Sequence, residues 1–232
     1  MLVPFNLERP VKPPSLKRFS LALLLTVCLC ACGTSTKPPT TNPPPANADL
    51  QGQLTGWRLG EASLSATFFG PGDLSERESI QIAAGTLQAS GQFTADFSDS
   101  VGKDALLTLP VCDALTVSGE AARINTFSAL DVRVGDEQRG LMALASSARV
   151  LSEGLQAVGE YYVQWLYADR EVSLKGDCAI TNPPTTLGYD LTLQKGWNTV
   201  TFRLERKDAT GQTLVQRSEA VTDEAAWFYT EQ

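Results

Sequence analysis

The chain of 232 residues contains no histidine. This absence excludes the Ser-His-Asp and Cys-His arrangements of nucleophilic catalysis and removes the commonest zinc ligand. Positive charge is also scarce, with 19 Lys and Arg against 26 Asp and Glu and a net charge of −7. Nucleic acids and anionic lipid surfaces both require clustered Lys and Arg, so neither is expected as an electrostatic partner. We predict no enzymatic activity, no metal and no cofactor.

The catalytic patterns that need no histidine are weak here. Ser100 and Lys103 match the Ser-x-x-Lys pattern of penicillin-recognising enzymes, but the Ser-Asp-Asn and Lys-Thr-Gly elements of that family are missing. Gly102 favours a loop instead. Neighbouring carboxylates could support glycoside hydrolysis or a calcium loop, although solvated surface charge is the simpler interpretation. The carboxylate pairs are Asp73 with Glu76 and Asp223 with Glu224, and the calcium candidates are Asp96, Asp99 and Asp104.

An apolar run at residues 19–31 follows Lys17 and Arg18. It is shorter than the ~20 residues that a membrane-spanning helix needs, and its charged flank is typical of a signal peptide. The run leads into Leu29-Cys30-Ala31-Cys32, which resembles the lipobox of bacterial lipoproteins. The resemblance implies cleavage before Cys32 and diacylation of its thiol. We therefore expect residues 1–31 to be a signal peptide and Cys32 to anchor an exported protein to a membrane of the cell envelope.

Residues 32–49 form the next segment, which contains five prolines separated by Thr, Ser and Asn. Such a composition buries little apolar area, so we expect a disordered tether biased to the polyproline II conformation. The tether would hold the folded body away from the membrane.

From residue 50 onward the apolar residues alternate with polar ones in short runs. A period of two with turn residues between the runs is typical of antiparallel strands. We predict an all-β fold, an antiparallel β-sandwich spanning residues 50–232, built either as one body or as two small subdomains with a boundary near residue 110. The C-terminal third reads as a meander of consecutive strands at 189–194, 197–204 and 213–217. Helix candidates are few, the best being 218–226 and 148–155.

Two further resemblances concern the body. Residues 50–110 are similar to the small prealbumin-like sandwiches of bacterial envelope proteins, through a Gly-x-Phe strand start at Gly91 and a Leu-Pro ending at Leu109. Residues 167–176 and 195–198 resemble segments of uncharacterised bacterial lipoproteins. Both resemblances imply an envelope context, and neither implies an activity.

Only Cys112 and Cys178 remain in the body once Cys28 and Cys30 leave with the signal peptide and Cys32 is lipidated. Two thiols left over in an oxidising compartment pair by default, so we predict a disulfide between them. A redox or nucleophilic role is the alternative. It lacks a Cys-x-x-Cys partner and a histidine that could activate a thiolate.

Tryptophan supplies the remaining functional lead. Trp165 lies on the apolar face of an alternating run and is expected in the core. Trp57 and Trp197 each follow a glycine at a predicted turn, where an exposed ring could stack on a sugar or a buried ring could close the end of the sandwich. Two functions stay open. One is a non-catalytic envelope lipoprotein with a structural or protein-interaction role. The other is a carbohydrate-binding module that faces cell-wall or external glycans.

Overall fold

The computed structural model describes residues 50–69, 79–109, 112–119 and 121–231. The predicted signal peptide, Cys32, the proline-rich tether and the Asp73–Glu76 pair lie outside these residues.

Within the described residues the chain forms fifteen strands, one short α-helix and one 3-10 turn. The all-β prediction is therefore confirmed. The strands are β1 (Leu50–Gln53), β2 (Ala62–Phe69), β3 (Ser79–Leu87), β4 (Gln92–Phe97), β5 (Leu107–Thr108), β6 (Leu115–Ser118), β7 (Arg123–Phe127), β8 (Leu130–Val134), β9 (Glu137–Ala145), β10 (Tyr161–Ala168), β11 (Val172–Thr181), β12 (Pro184–Leu193), β13 (Gly196–Asp208), β14 (Gly211–Arg217) and β15 (Ala226–Glu231). The helix α1 is Ala148–Glu153 and the 3-10 turn is Lys103–Ala105.

The turn residues predicted from the sequence close four hairpins. Gly91, with a φ of 85°, lies between β3 and β4, and Gly135, with a φ of 61°, lies between β8 and β9. Residues 182–183 connect β11 to β12 through a cis Asn182–Pro183 peptide bond. Residues 209–210 connect β13 to β14. In each case a residue suited to a turn conformation sets the register of the strands beside it.

The strands hydrogen-bond in the order β1-β4-β3-β2-β8-β9-β10-β13-β14-β12-β11-β6. Beside this path, β15 pairs with β9, and β7 pairs with both β5 and β10. All these strand pairs are antiparallel except β12 with β14, which is parallel. Around the predicted subdomain boundary near residue 110, strands from the two sides pair with each other, β2 with β8 and β5 with β7.

Strand β10 lies between two apolar cores. Its odd-numbered side chains pack with the N-terminal strands in the first core. Leu166 and Ala168 pack with β11 and β12 in the second core. Because successive side chains of a strand point to opposite faces, both faces of β10 are covered. The strand is consequently apolar along most of its length, and Trp165 lies in the first core as predicted.

The predicted helix at 218–226 is wrong. Residues 223–224 form a turn and β15 begins at Ala226. Strand geometry lets Trp227 stack on Trp165, with ring centroids 5.5 Å apart. The same geometry places Tyr229 edge-on to Trp57, with ring centroids 5.2 Å apart. Burial of these rings outweighs the weak helix propensity of the segment. The other helix candidate, 148–155, is confirmed by α1.

The predicted C-terminal meander is also wrong in its order. Strand β14 lies between β12 and β13, so these two strands are joined by a two-residue link without being neighbours. The Asn198 side chain closes the link by accepting from the Gln194 N–H and donating to the Gln194 carbonyl. Alternation assigns side chains to faces of a sheet, but it does not determine which strands are adjacent.

Trp197 occupies the centre of an aromatic cluster in the first core. Its ring centroid lies 4.8 Å from that of Phe97, 5.2 Å from that of Tyr167 and 5.7 Å from that of Phe68. Its indole N–H donates to the Ser98 carbonyl at 2.9 Å.

We expect Trp197→Ala to lower the free energy of unfolding by about 3 to 5 kcal/mol, since it removes a large ring from a packed cluster. Trp197→Phe keeps a ring and loses mainly the hydrogen bond, so its loss should be smaller, about 1 to 2 kcal/mol. Denaturant unfolding of the oxidised protein measures both values. Equal stability of Trp197→Ala and the wild type would contradict a structural role for this ring.

Candidate functional site

Cys112 and Cys178 form a disulfide, as the sequence predicted, with their Cα atoms 5.9 Å apart. Cys178 lies on β11 and Cys112 lies just before β6. Strand β6 pairs with β11 over Ser173–Gly176, so the disulfide covalently extends this pairing toward the tip of the β11–β12 hairpin.

Reduction of this disulfide should destabilise the body by as much as about 4 kcal/mol, because the bridge closes a long loop in the unfolded chain. The sequence separation of the two cysteines is 66 residues. Non-reducing peptide mapping should recover the linked peptides, and Cys112→Ser/Cys178→Ser should unfold at a lower temperature than the oxidised wild type. Two free thiols in protein taken from its native compartment would contradict the pairing.

The two tryptophans proposed as ligand-binding residues are both buried. Trp57 is 9% exposed and Trp197 is 6% exposed, and both belong to the first core. The Trp57 indole N–H donates to the Gly60 carbonyl, which folds the ring back onto the body. A ring that stacks on a sugar needs an open face, so these two positions favour the core-packing interpretation.

The remaining sequence candidates among the described residues are exposed. Ser100 is exposed in a loop, and Lys103 is exposed at the start of the 3-10 turn. The three aspartates considered for calcium, Asp96, Asp99 and Asp104, are exposed as well. Among the described residues no group of three or more His, Cys, Asp or Glu side chains is arranged to hold a metal ion. Asp223 and Glu224 are exposed in the turn before β15.

A different set of side chains converges on the face of the sheet that carries the second core. Tyr162, Phe202, Gln216 and Tyr189 follow one another across β10, β13, β14 and β12 as successive Cα partners. Directly paired residues share one face of a sheet, so the four side chains stand in a row. Gln164 lies two residues after Tyr162 on the same face of β10. We call these five side chains the β10–β14 groove.

The five groove side chains lie on the face toward which the sheet bends, the face that carries the second core. Leu109 and Ala122, which flank β5 and β7, belong to the same apolar cluster as β11 and β12, although β5 and β7 lie on the opposite side of β10. Contact between such distant strands requires a strongly bent sheet. Gly176 lies opposite Tyr189 in the register, and a Cβ atom there would collide with the Ala114 carbonyl oxygen, so the backbone that leads into β6 approaches β11 closely at this point.

Two buried glutamines form the floor of the groove. Gln164 is 8% exposed and Gln216 is 6% exposed. The Gln216 Nε2 donates to the Gln164 Oε1 at 2.7 Å. Since β13 lies between β10 and β14, this hydrogen bond crosses over β13. It leaves the Gln164 Nε2 donor and the Gln216 Oε1 acceptor without a partner among the described residues.

These two amide atoms remain in contact with solvent. Within the described part of the chain, the side-chain atoms that are sealed from solvent without a partner are Thr126 Oγ1 and Ser147 Oγ. The unused donor and acceptor of the glutamine pair are not among them. They therefore offer one NH2 group and one C=O to a molecule that enters the groove.

Aromatic rings flank the glutamines. The Tyr162 and Phe202 ring centroids are 5.2 Å apart with the planes tilted by 39°. Burial raises the pKa of the Tyr162 phenol and also that of Tyr189. Both phenols are therefore neutral at physiological pH. Tyr162 nevertheless keeps part of its surface exposed.

A short loop borders the groove where β10 begins. The Glu160 carboxylate accepts from the Arg149 guanidinium and from the backbone N–H groups of Gln156 and Ala157. Burial raises the pKa of Glu160, but these hydrogen bonds and the Arg149 charge outweigh that effect and hold the pKa below its ordinary value of 4.5. Lys207, on β13, donates to Gln156 in the same loop at 2.9 Å.

Because the pKa of Glu160 is lower in the folded state, its ionised form stabilises the protein at any pH above the ordinary glutamate value. This contribution disappears as the pH falls through the lowered folded-state pKa. The stability difference between wild type and Glu160→Gln should therefore be constant above pH 4.5 and shrink below it. Unfolding midpoints measured across this range test the sign. A difference that grows on acidification would contradict it.

The groove was not identified from the sequence, although one signal for it was present. The run Tyr161–Ala168 is apolar at nearly every position, which indicates burial on both faces. Gln164 interrupts this run and is itself buried. A buried amide in a strand that is covered on both sides needs a polar partner, and the partner comes from β14.

No protein-family model, curated protein or solved structure matches this chain. Among the described residues no helix has the length and apolar character needed to cross a membrane.

Proposed function

We propose that this protein is a non-catalytic, lipid-anchored protein of the cell envelope whose β-body acts by binding. The β10–β14 groove is the observation that carries the proposal. Its side chains are aromatic rings, neutral phenols and carboxamides. Groups of this kind hold and orient a ligand, whereas nucleophilic or acid–base chemistry calls for a group with a pKa tuned near the working pH.

The disulfide supports the exported location. Disulfides form and persist in extracytoplasmic compartments, and the Cys112–Cys178 bridge lies in the folded body. The lipobox at residues 29–32 supports anchoring through acyl chains on Cys32. The acidic composition supports the same mode, because the protein carries too little positive charge to dock on anionic lipid.

The fold weakens one of the two functions expected from the sequence and leaves the other unaffected. Burial of Trp57 and Trp197 removes the two rings on which the carbohydrate-binding alternative depended. A structural or protein-interaction role does not depend on those rings. Neither of these two functions was inferred from the β10–β14 groove, which we propose as a binding surface.

The anchor is tested by Cys32→Ala, which should leave the precursor unprocessed and without acyl mass. The matched control is Cys30→Ala, because Leu29 is too bulky to precede a cleavage site and this cysteine should be dispensable. Intact-mass analysis of the membrane fraction distinguishes the two variants. A Cys32→Ala protein that still gains acyl mass and matures normally would overturn the lipoprotein assignment.

A further inference from the structure

We infer that the β10–β14 groove binds a neutral saccharide, with the Tyr162 and Phe202 rings contacting the apolar face of a sugar ring and the Gln164 and Gln216 amides hydrogen-bonding its hydroxyl groups. This inference rests on the proposed binding function and names the ligand class.

The glutamine pair supplies the first argument. A sugar hydroxyl both donates and accepts a hydrogen bond, and the pair presents one free donor and one free acceptor from the same floor. The two amides are more than nine-tenths buried, so their positions are fixed by packing before a ligand arrives. A preorganised donor and acceptor lose little conformational entropy on binding.

The rings supply the second argument. Tyr162 and Phe202 are Cα partners on adjacent strands and remain partly exposed, so together they form an aromatic surface at the side of the glutamine floor. Tyr189 closes the far end of the row through its pairing with Gln216. An apolar surface beside a few fixed polar groups matches a molecule with one apolar face and a polar edge.

The charge of the groove argues against an anionic ligand. All five groove side chains are uncharged at neutral pH, because burial holds both phenols protonated. Of the charged groups at the loop that borders the groove, Glu160 is held by Arg149 and by backbone N–H groups, and Lys207 donates to Gln156. A carboxylated or phosphorylated ligand would lose its hydration in the groove without a counter-charge from any of the five groove side chains.

Strand pairing argues against an extended peptide. Peptides that join a sheet need an open strand edge, whereas β13 and β14 are each paired on both sides along the groove, and β10 pairs with β13 on one side and with β9 and β7 on the other. A hydrocarbon chain is disfavoured for another reason. It would cover the free amide atoms of Gln164 and Gln216 without bonding them, and this burial is costly.

The test is isothermal titration of the oxidised full-length protein, kept in a detergent without a sugar headgroup. The probes are cellotetraose, chitotetraose, tetragalacturonate and an uncharged capped hexapeptide. The first two distinguish plain hexoses from acetamido sugars, and binding of either one supports the inference. Tetragalacturonate tests charge, and the hexapeptide tests the alternative ligand class.

The decisive variant is Gln164→Leu/Gln216→Leu. It replaces both partners of one hydrogen bond by apolar groups of similar size, so the thermal unfolding midpoint should change little. Saccharide affinity should fall at least about tenfold. The matched control is Gln92→Leu, the same change at an exposed position on β4, and it should bind like the wild type. Phe202→Leu removes one ring of the aromatic surface while it keeps an apolar side chain, and it gives a second test, with an expected loss of about three- to tenfold.

Several results would overturn the inference. These are no binding of either neutral tetrasaccharide, binding of tetragalacturonate as tight as that of the neutral sugars, or equal losses in the groove variants and in Gln92→Leu. If the hexapeptide binds and the double variant abolishes that binding, the saccharide class is wrong while the proposed binding function stands. The lipoprotein proposal is tested separately, by the processing of Cys32→Ala.

Discussion

Strand β10 has to be buried on both faces, and most of the structure follows from this constraint. One face completes an aromatic core with the N-terminal strands, and the other completes an aliphatic core with β11 and β12. A strand exposed on one side can tolerate polar residues at every second position, but β10 cannot. The neighbours of β10 therefore have to supply both a covering layer on each side and a partner for any polar group inside.

The β10–β14 groove lies at the end of β10 where the Tyr162 side chain remains partly exposed. The second core is aliphatic near Ala168 and Val172, and toward Tyr162 the side chains on the same face change to tyrosine, phenylalanine and glutamine. The Gln164 side chain is largely shielded from water, so its amide needs a partner in the protein. Gln216 supplies that partner, and the hydrogen bond between them links β10 to β14 across the intervening β13. The same pair of side chains is thus both a link between two strands and the floor of the proposed binding site.

The sequence predicted the fold class, the disulfide and most turns, because alternation, cysteine number and turn residues act over short distances. Asn182-Pro183 and Gly135-Asp136 are at hairpins because their own backbone preferences require it. The position of β14 between β12 and β13 depended instead on pairing between strands that are not consecutive in the chain, and alternation carries no information on that. The segment at 218–226 failed because the rings of Trp227 and Tyr229 determine its conformation through tertiary contacts. The groove was missed for a related reason, since its residues come from four strands and meet only after the sheet has curled.

Strand β1 makes the resistance of the body to a pulling force depend on where the force is applied. It has only four residues, pairs with β4 alone and is the first element after residues 32–49. Any pulling force that enters the body from its N-terminal side therefore acts first on four antiparallel residue pairs at the edge of the sheet. Within this ladder, Gly52 lies against the Phe93 and Trp227 rings so closely that even a Cβ atom would not fit. This contact between backbone and rings resists sliding of β1 along the sheet more than it resists peeling, so β1 can yield one pair at a time while the interior that carries the groove stays intact.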